Sequence, residues 1–65
     1  MDKEQFIQAL TEQHIQAAIV DNVPMIFVDY KEYNQNYQLD MDQKIHDMGY
    51  TGSYGFKVIR DGAII

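Results

Sequence analysis

Apolar positions change their period several times along the chain, and each change predicts an element boundary. From Asp2 to about Gln13, Phe6, Ile7, Leu10 and His14 fall at i, i+1, i+4 and i+8, one face of a 3.6-residue period. Lys3, Gln5, Gln8, Thr11 and Glu12 occupy the opposite, solvated face, and Asp2 and Glu4 sit in the first turn, where the helix dipole favours acids. This predicts a helix over 2–13. Near Ile15 the pattern shortens. Ile15–Val20 and Val23–Val28 flank Asp21-Asn22, two residues that tolerate the positive φ angles of a tight hairpin. Strands are expected over 15–20 and 24–30, with Pro24 at a strand start or on an outward edge because it cannot donate to a ladder. A helix continuing through Ala17 and Ala18 is the rival reading of the first arm.

Residues 29–39 follow neither period. Tyr30, Tyr33 and Tyr37 are spaced for one helical face, but Asn34, Gln35 and Asn36 form helices poorly, and the stretch reads as a strand extension followed by a polar loop. Asp40 and Gln43 then form a capping-box pair, Met41, Ile45 and Met48 recur at i, i+4 and i+7, and Gly49 supplies a left-handed C-cap, predicting a short helix over 40–48. Tyr50–Gly55 reads as a flexible linker. Strands follow at 55–60 and 63–65 around Asp61-Gly62, a strong two-residue hairpin signal. The expected architecture is an α+β fold of order α-β-β-α-β-β, a single domain over 1–65 with two helices on one face of an antiparallel sheet. The halves share this order without a residue repeat.

Composition narrows the function. A chain of 65 residues has room for one small core and little for a buried catalytic cavity. Ten carboxylates against five Lys or Arg give a formal net charge of −5, which disfavours direct nucleic-acid or anionic-membrane binding. Residues 1–28 and 29–49 each sum to −3, and the remainder to +1, too little for a cationic binding face. The sequence has no cysteine, hence no disulfide and no thiolate zinc site, and its beginning lacks the basic start and apolar run of a signal peptide. Its longest apolar run within the expected strands, Val23–Val28, is far short of the roughly 20 residues of a membrane span. A cytoplasmic protein is expected.

No constellation of catalytic or metal-ligating residues is complete. Asp42 and His46 share a helix face but lack a third ligand, and read as a surface pair. His14, at the end of the first helix, reads as a side-chain cap of helix carbonyls. Asp40-Met41-Asp42 opens like a calcium loop, but Lys44, Ile45 and Thr51 stand where the loop needs an oxygen ligand, Gly and Glu. The run from Gly49 to Gly55 passes from helix to strand, the reverse of a dinucleotide fingerprint. Ser53, the only serine, has no nucleophile elbow around it. The expectation is a nonenzymatic protein with no cofactor and no metal.

The tyrosines are the distinctive feature. Tyr30, Tyr33, Tyr37, Tyr50 and Tyr54 all fall within 25 residues of a chain without tryptophan, Tyr33 and Tyr37 among Asn and Gln, Tyr50 and Tyr54 among Gly, Ser and Thr. That is the composition of adhesive loops, in which a rigid amphipathic ring supplies contact area at low entropic cost. The competing use of such rings is to cover a small core while their hydroxyls stay wet. Tyr33, Tyr37, Tyr50 and Tyr54 are the candidate partner-binding residues of a protein-interaction module, an inhibitor or regulator docking on a larger protein. Self-association through an exposed strand edge is a second expected mode. The alternatives are a nucleic-acid mimic, which requires Asp29, Glu32, Asp40, Asp42 and Asp47 to line one face, and, ranked after it, a small metal-dependent protein resting on His14, His46 and Asp42.

Overall fold

A computed structural model describes residues 1–64 of the chain. Its elements are α1 (Lys3–Glu12), β1 (Ala17–Val20), β2 (Val23–Asp29), α2 (Gln35–Met48), β3 (Gly55–Arg60) and β4 (Ala63–Ile64). The α+β class and the element order match the sequence expectation. The sheet does not. β1 pairs with β2 antiparallel, but β2 pairs with β3 parallel, so β1, β2 and β3 form a mixed sheet, and the two-residue β4 adds antiparallel to the end of β3. The expected strand 63–65 includes Ile65, which lies outside the described residues.

The length of α2 explains the parallel pairing. Fourteen residues span about 21 Å at 1.5 Å per residue. The seven residues of β2 span about 23 Å at 3.3 Å each. The helix therefore returns the chain to the end at which β2 began, and β3 must run the same way as β2. A helix confined to 40–48 would complete little more than half of that return. It is extended at its start because Asn34, not Asp40, is the N-cap: the Asn34 side chain accepts from the Tyr37 amide at 2.8 Å. Asp40 lies within the helix, so the expected capping box there is absent and residues 35–39, expected as loop, are helical. β2 stops instead at an Asx turn, in which Asp29 Oδ1 accepts from the Lys31 amide at 2.8 Å and the Asp29 carbonyl accepts from Glu32 and Tyr33.

The remaining local signals act largely as read. Asp2 forms a capping box with Gln5. Asp21 and Asn22 both adopt positive φ, as do Asp61 and Gly62, the signature of hairpin turns whose twist matches the strands. Gly49 is the left-handed C-cap of α2. His14 terminates α1 differently from the expectation: it takes φ 64°, and its backbone amide donates to the Thr11 carbonyl. Pro24 is buried and second in its strand, opposite Ile19. Val20 and Val23 close the two-residue hairpin, so the next pair does not exchange hydrogen bonds with β1. Pro24 nitrogen therefore faces the β3 side, where the ladder begins only at Met25.

Both helices lie on one face of the sheet, as expected, and meet in a single core of Phe6, Leu10, Ile26, Met41, Ile45 and Tyr50. Among the described residues, no helix is long and apolar enough to cross a membrane.

Candidate functional site

All four tyrosines singled out by the sequence join one continuous aromatic chain between α2 and the sheet. Phe6 on α1 stacks on Tyr50 with ring centroids 3.9 Å apart and planes 2° from parallel. Tyr50 meets Tyr54 at 6.3 Å, and Tyr54 meets Phe56 edge-on at 6.1 Å. Phe56 in turn touches Tyr37 at 6.0 Å and Tyr33 at 5.7 Å, and those two tyrosines contact each other at 6.0 Å. Edge-to-face pairs of this kind are favoured by the ring quadrupoles and fix each ring against its neighbours.

The chain grades from core to surface. Tyr50 is 6% exposed and belongs to the core; in this fold its ring is not presented to a partner. Tyr33, Tyr37, Tyr54 and Phe56 are half-buried and form the accessible part of the patch. Tyr30, the fifth tyrosine, stands apart and exposed, with the Arg60 guanidinium 5.2 Å and the Lys31 ammonium 5.8 Å from its ring centroid. The Tyr50–Gly55 segment is therefore not a flexible linker. Its first residue is buried, and the Tyr50 hydroxyl donates to the Ser53 carbonyl at 2.7 Å, folding the loop back on itself.

Polar groups hold the patch from its rim. Tyr54 donates to Asp42 Oδ1 at 2.5 Å, and Tyr33 donates to Gln38 Oε1 at 3.0 Å. Asp42 is thus engaged with Tyr54 across the helix–sheet junction, whereas the sequence had paired it with His46 on the helix surface. Burial, followed by the hydrogen bond and the negative charge of Asp42, pushes the Tyr54 phenol from 10.0 up to about 12. Burial, and then the charge of Glu32, also raises Tyr37.

A pH dependence follows. Between pH 10 and about 12 the folded chain keeps the Tyr54 proton, while an unfolded tyrosine, with its ordinary pKa of about 10, releases it. The stabilisation is complete below pH 10 and is lost as pH rises through about 12. Near-ultraviolet titration of tyrosinate should show a late-ionising fraction, to which Tyr37 also contributes, that Tyr54→Phe reduces. Amplitude lost from the ordinary range near pH 10, rather than from the late fraction, would contradict the Asp42–Tyr54 contact.

Two of the carboxylates that a nucleic-acid mimic would need on one face diverge. At about 100° per residue, Asp40 and Asp42 point about 160° apart around α2, and Asp42 is held by Tyr54. Among the described residues, no group of three or more His, Cys, Asp or Glu is placed to hold a metal ion.

The sequence reading missed the opposite side of the sheet. Along β2, Pro24, Ile26 and Val28 are buried under the helices, while Val23, Met25 and Phe27 are half-buried on the face that no helix covers. Their register partners extend this outer face: Val20 and Ala18 on β1, Gly55 and Lys57 on β3, with Ile59 beside Asp29 at the end. The signal was present in the run Val23–Val28, which lacks the apolar–polar alternation of a strand with one wet face. Comparison with protein-family models, with curated proteins and with solved structures gives no match for this chain.

Proposed function

We propose that the domain is a small acidic, noncatalytic protein-interaction module, an inhibitor or regulator that docks on a larger protein through the Tyr33–Tyr37–Tyr54 side of α2. The observation that carries this reading is the half-exposed aromatic patch whose rings are fixed by one another. Rings already locked in place lose little rotamer freedom on binding, so their apolar area converts efficiently into affinity. Asp42 and Glu32 border the patch, which suits a partner offering an apolar pocket ringed by Arg or Lys. The cysteine-free composition supports a reducing, cytoplasmic setting.

The test is capture from a native lysate of the source cells by the immobilised full chain, with the captured proteins identified by mass spectrometry. Truncating a well-buried interface anchor costs about 2 kcal/mol or more, roughly a 30-fold loss of affinity. Tyr33→Ala should therefore abolish capture while leaving the melting temperature within a few degrees of the parent. Capture that persists in Tyr33→Ala and Tyr54→Ala alike would remove the patch from the interface.

A further inference from the structure

We propose that the outer face of the sheet is a homodimer interface, on which a second copy of this chain packs sheet to sheet. This concerns the side opposite the aromatic patch and does not depend on what that patch binds. The face is built around Val23, Met25 and Phe27 of the central strand, with Val20 on one side and Ile59 on the other. A strand apolar on both faces is the pattern of one covered on both faces. In the single chain β2 is covered on only one.

Charge selects the occupant. The chain carries −5 overall, so two copies repel when brought together through most of their surfaces. The carboxylates of Glu4 and Glu12 ride on α1, those of Asp40, Asp42 and Asp47 ride on α2, and Asp2 caps α1. Among the described residues, the charged positions of the paired outer face are Lys57 and, at its end, Asp29, which sum to zero, while Asp21 and Asp61 lie in the hairpin turns at its ends. Packing these faces together leaves the acidic helix layers outermost in an α-β-β-α stack. With layers spaced about 10 Å, the helix layers lie about 30 Å apart, several times the Debye length of about 8 Å at physiological salt. Geometry permits the stack, because two sheets of the same twist pack aligned and a two-fold axis sets the same patch of each copy against the other.

Area sets the strength. A standard interface takes about 800 Å² and 20–30 residues from each partner. The whole accessible surface of this chain is 4619 Å², and the outward residues of three short strands fall below that residue count. The expected complex is thus a reversible, micromolar dimer.

Sedimentation equilibrium across micromolar to millimolar concentration should show the mass rising from 7.6 kDa towards twice that value, with a melting temperature that rises with protein concentration. Added sodium chloride should tighten the dimer by screening the residual repulsion. Phe27→Lys should weaken association at least 100-fold. Since a change on the central strand can also unfold the chain, Ile59→Lys on β3 and dilution-dependent amide shifts of the unmodified protein provide independent readings. Those shifts should map to Val20, Val23, Met25, Phe27, Lys57 and Ile59. A monomer at millimolar concentration overturns the proposal. So does a dimer whose shifts map to the helix layer, or one that survives Ile59→Lys and is lost in Ile19→Lys on the exposed edge strand β1.

Discussion

Tyr50→Ala is expected to unfold the domain. Tyr50 is 6% exposed, and its ring lies flat on Phe6, itself fully buried, at a centroid distance of 3.9 Å. Removing a buried aromatic ring costs about 3–5 kcal/mol, combining the lost transfer energy with the cavity left behind. A chain of 65 residues has a total stability of roughly 3–10 kcal/mol at about 0.05–0.15 kcal/mol per residue. The loss is comparable to the whole. Tyr50→Phe should behave quite differently. It keeps the stack and gives up only the hydroxyl's bond to the Ser53 carbonyl, worth about 1 kcal/mol, and Ser53 is exposed enough for water to replace the donor. Urea unfolding of the two variants checks both. A Tyr50→Ala protein that remained folded and lost only partner capture would return Tyr50 to the surface role its polar neighbours had suggested.

The contrast between Tyr50 and Tyr33 shows where sequence stops being informative. Both rings lie among small or polar residues, so local composition assigns them the same role, yet one is core and the other rim. The difference comes from α1: Phe6 lies 44 positions away in the chain, and only the tertiary fold brings its ring over Tyr50. Signals confined to a few residues were legible, including the positive-φ turns at Asp21-Asn22 and Asp61-Gly62 and the C-cap at Gly49. Where two local signals competed, the choice needed nonlocal contacts. Asn34 and Asp40 can each cap a helix; the earlier start wins because it brings Tyr37 onto the face of α2 that meets Phe56, burying a further ring. That choice also set the helix length, and with it the parallel pairing of β2 and β3. Helix start and sheet topology were therefore a single misreading rather than two.

Gly52→Ala should destabilise the domain, whereas Gly55→Ala, although its Cβ would also meet an atom closer than 3.0 Å, should not. Neither glycine has a positive φ, so the backbone accepts alanine at both positions, and the reduced freedom of the unfolded chain alone would favour the substitution by about 0.4–1 kcal/mol. A Cβ on Gly52 would lie 2.5 Å from Tyr50 Oη and 2.8 Å from Cζ. That ring is held by Phe6 on its face and by Ser53 at its hydroxyl, so relief requires moving a core side chain. Overpacking of this kind costs about 1–3 kcal/mol. A Cβ on Gly55 would lie 2.9 Å from Met25 Cε, the end of an unbranched side chain on the uncovered sheet face, which can swing aside. Thermal melting should lower the midpoint for Gly52→Ala and leave Gly55→Ala unchanged or slightly raised. Adding Tyr50→Phe to Gly52→Ala removes the nearest clashing atom, so the double variant should lose less than the sum of the two single changes. Strict additivity, or a neutral Gly52→Ala, would show that the Tyr50 ring is not pinned where the fold places it.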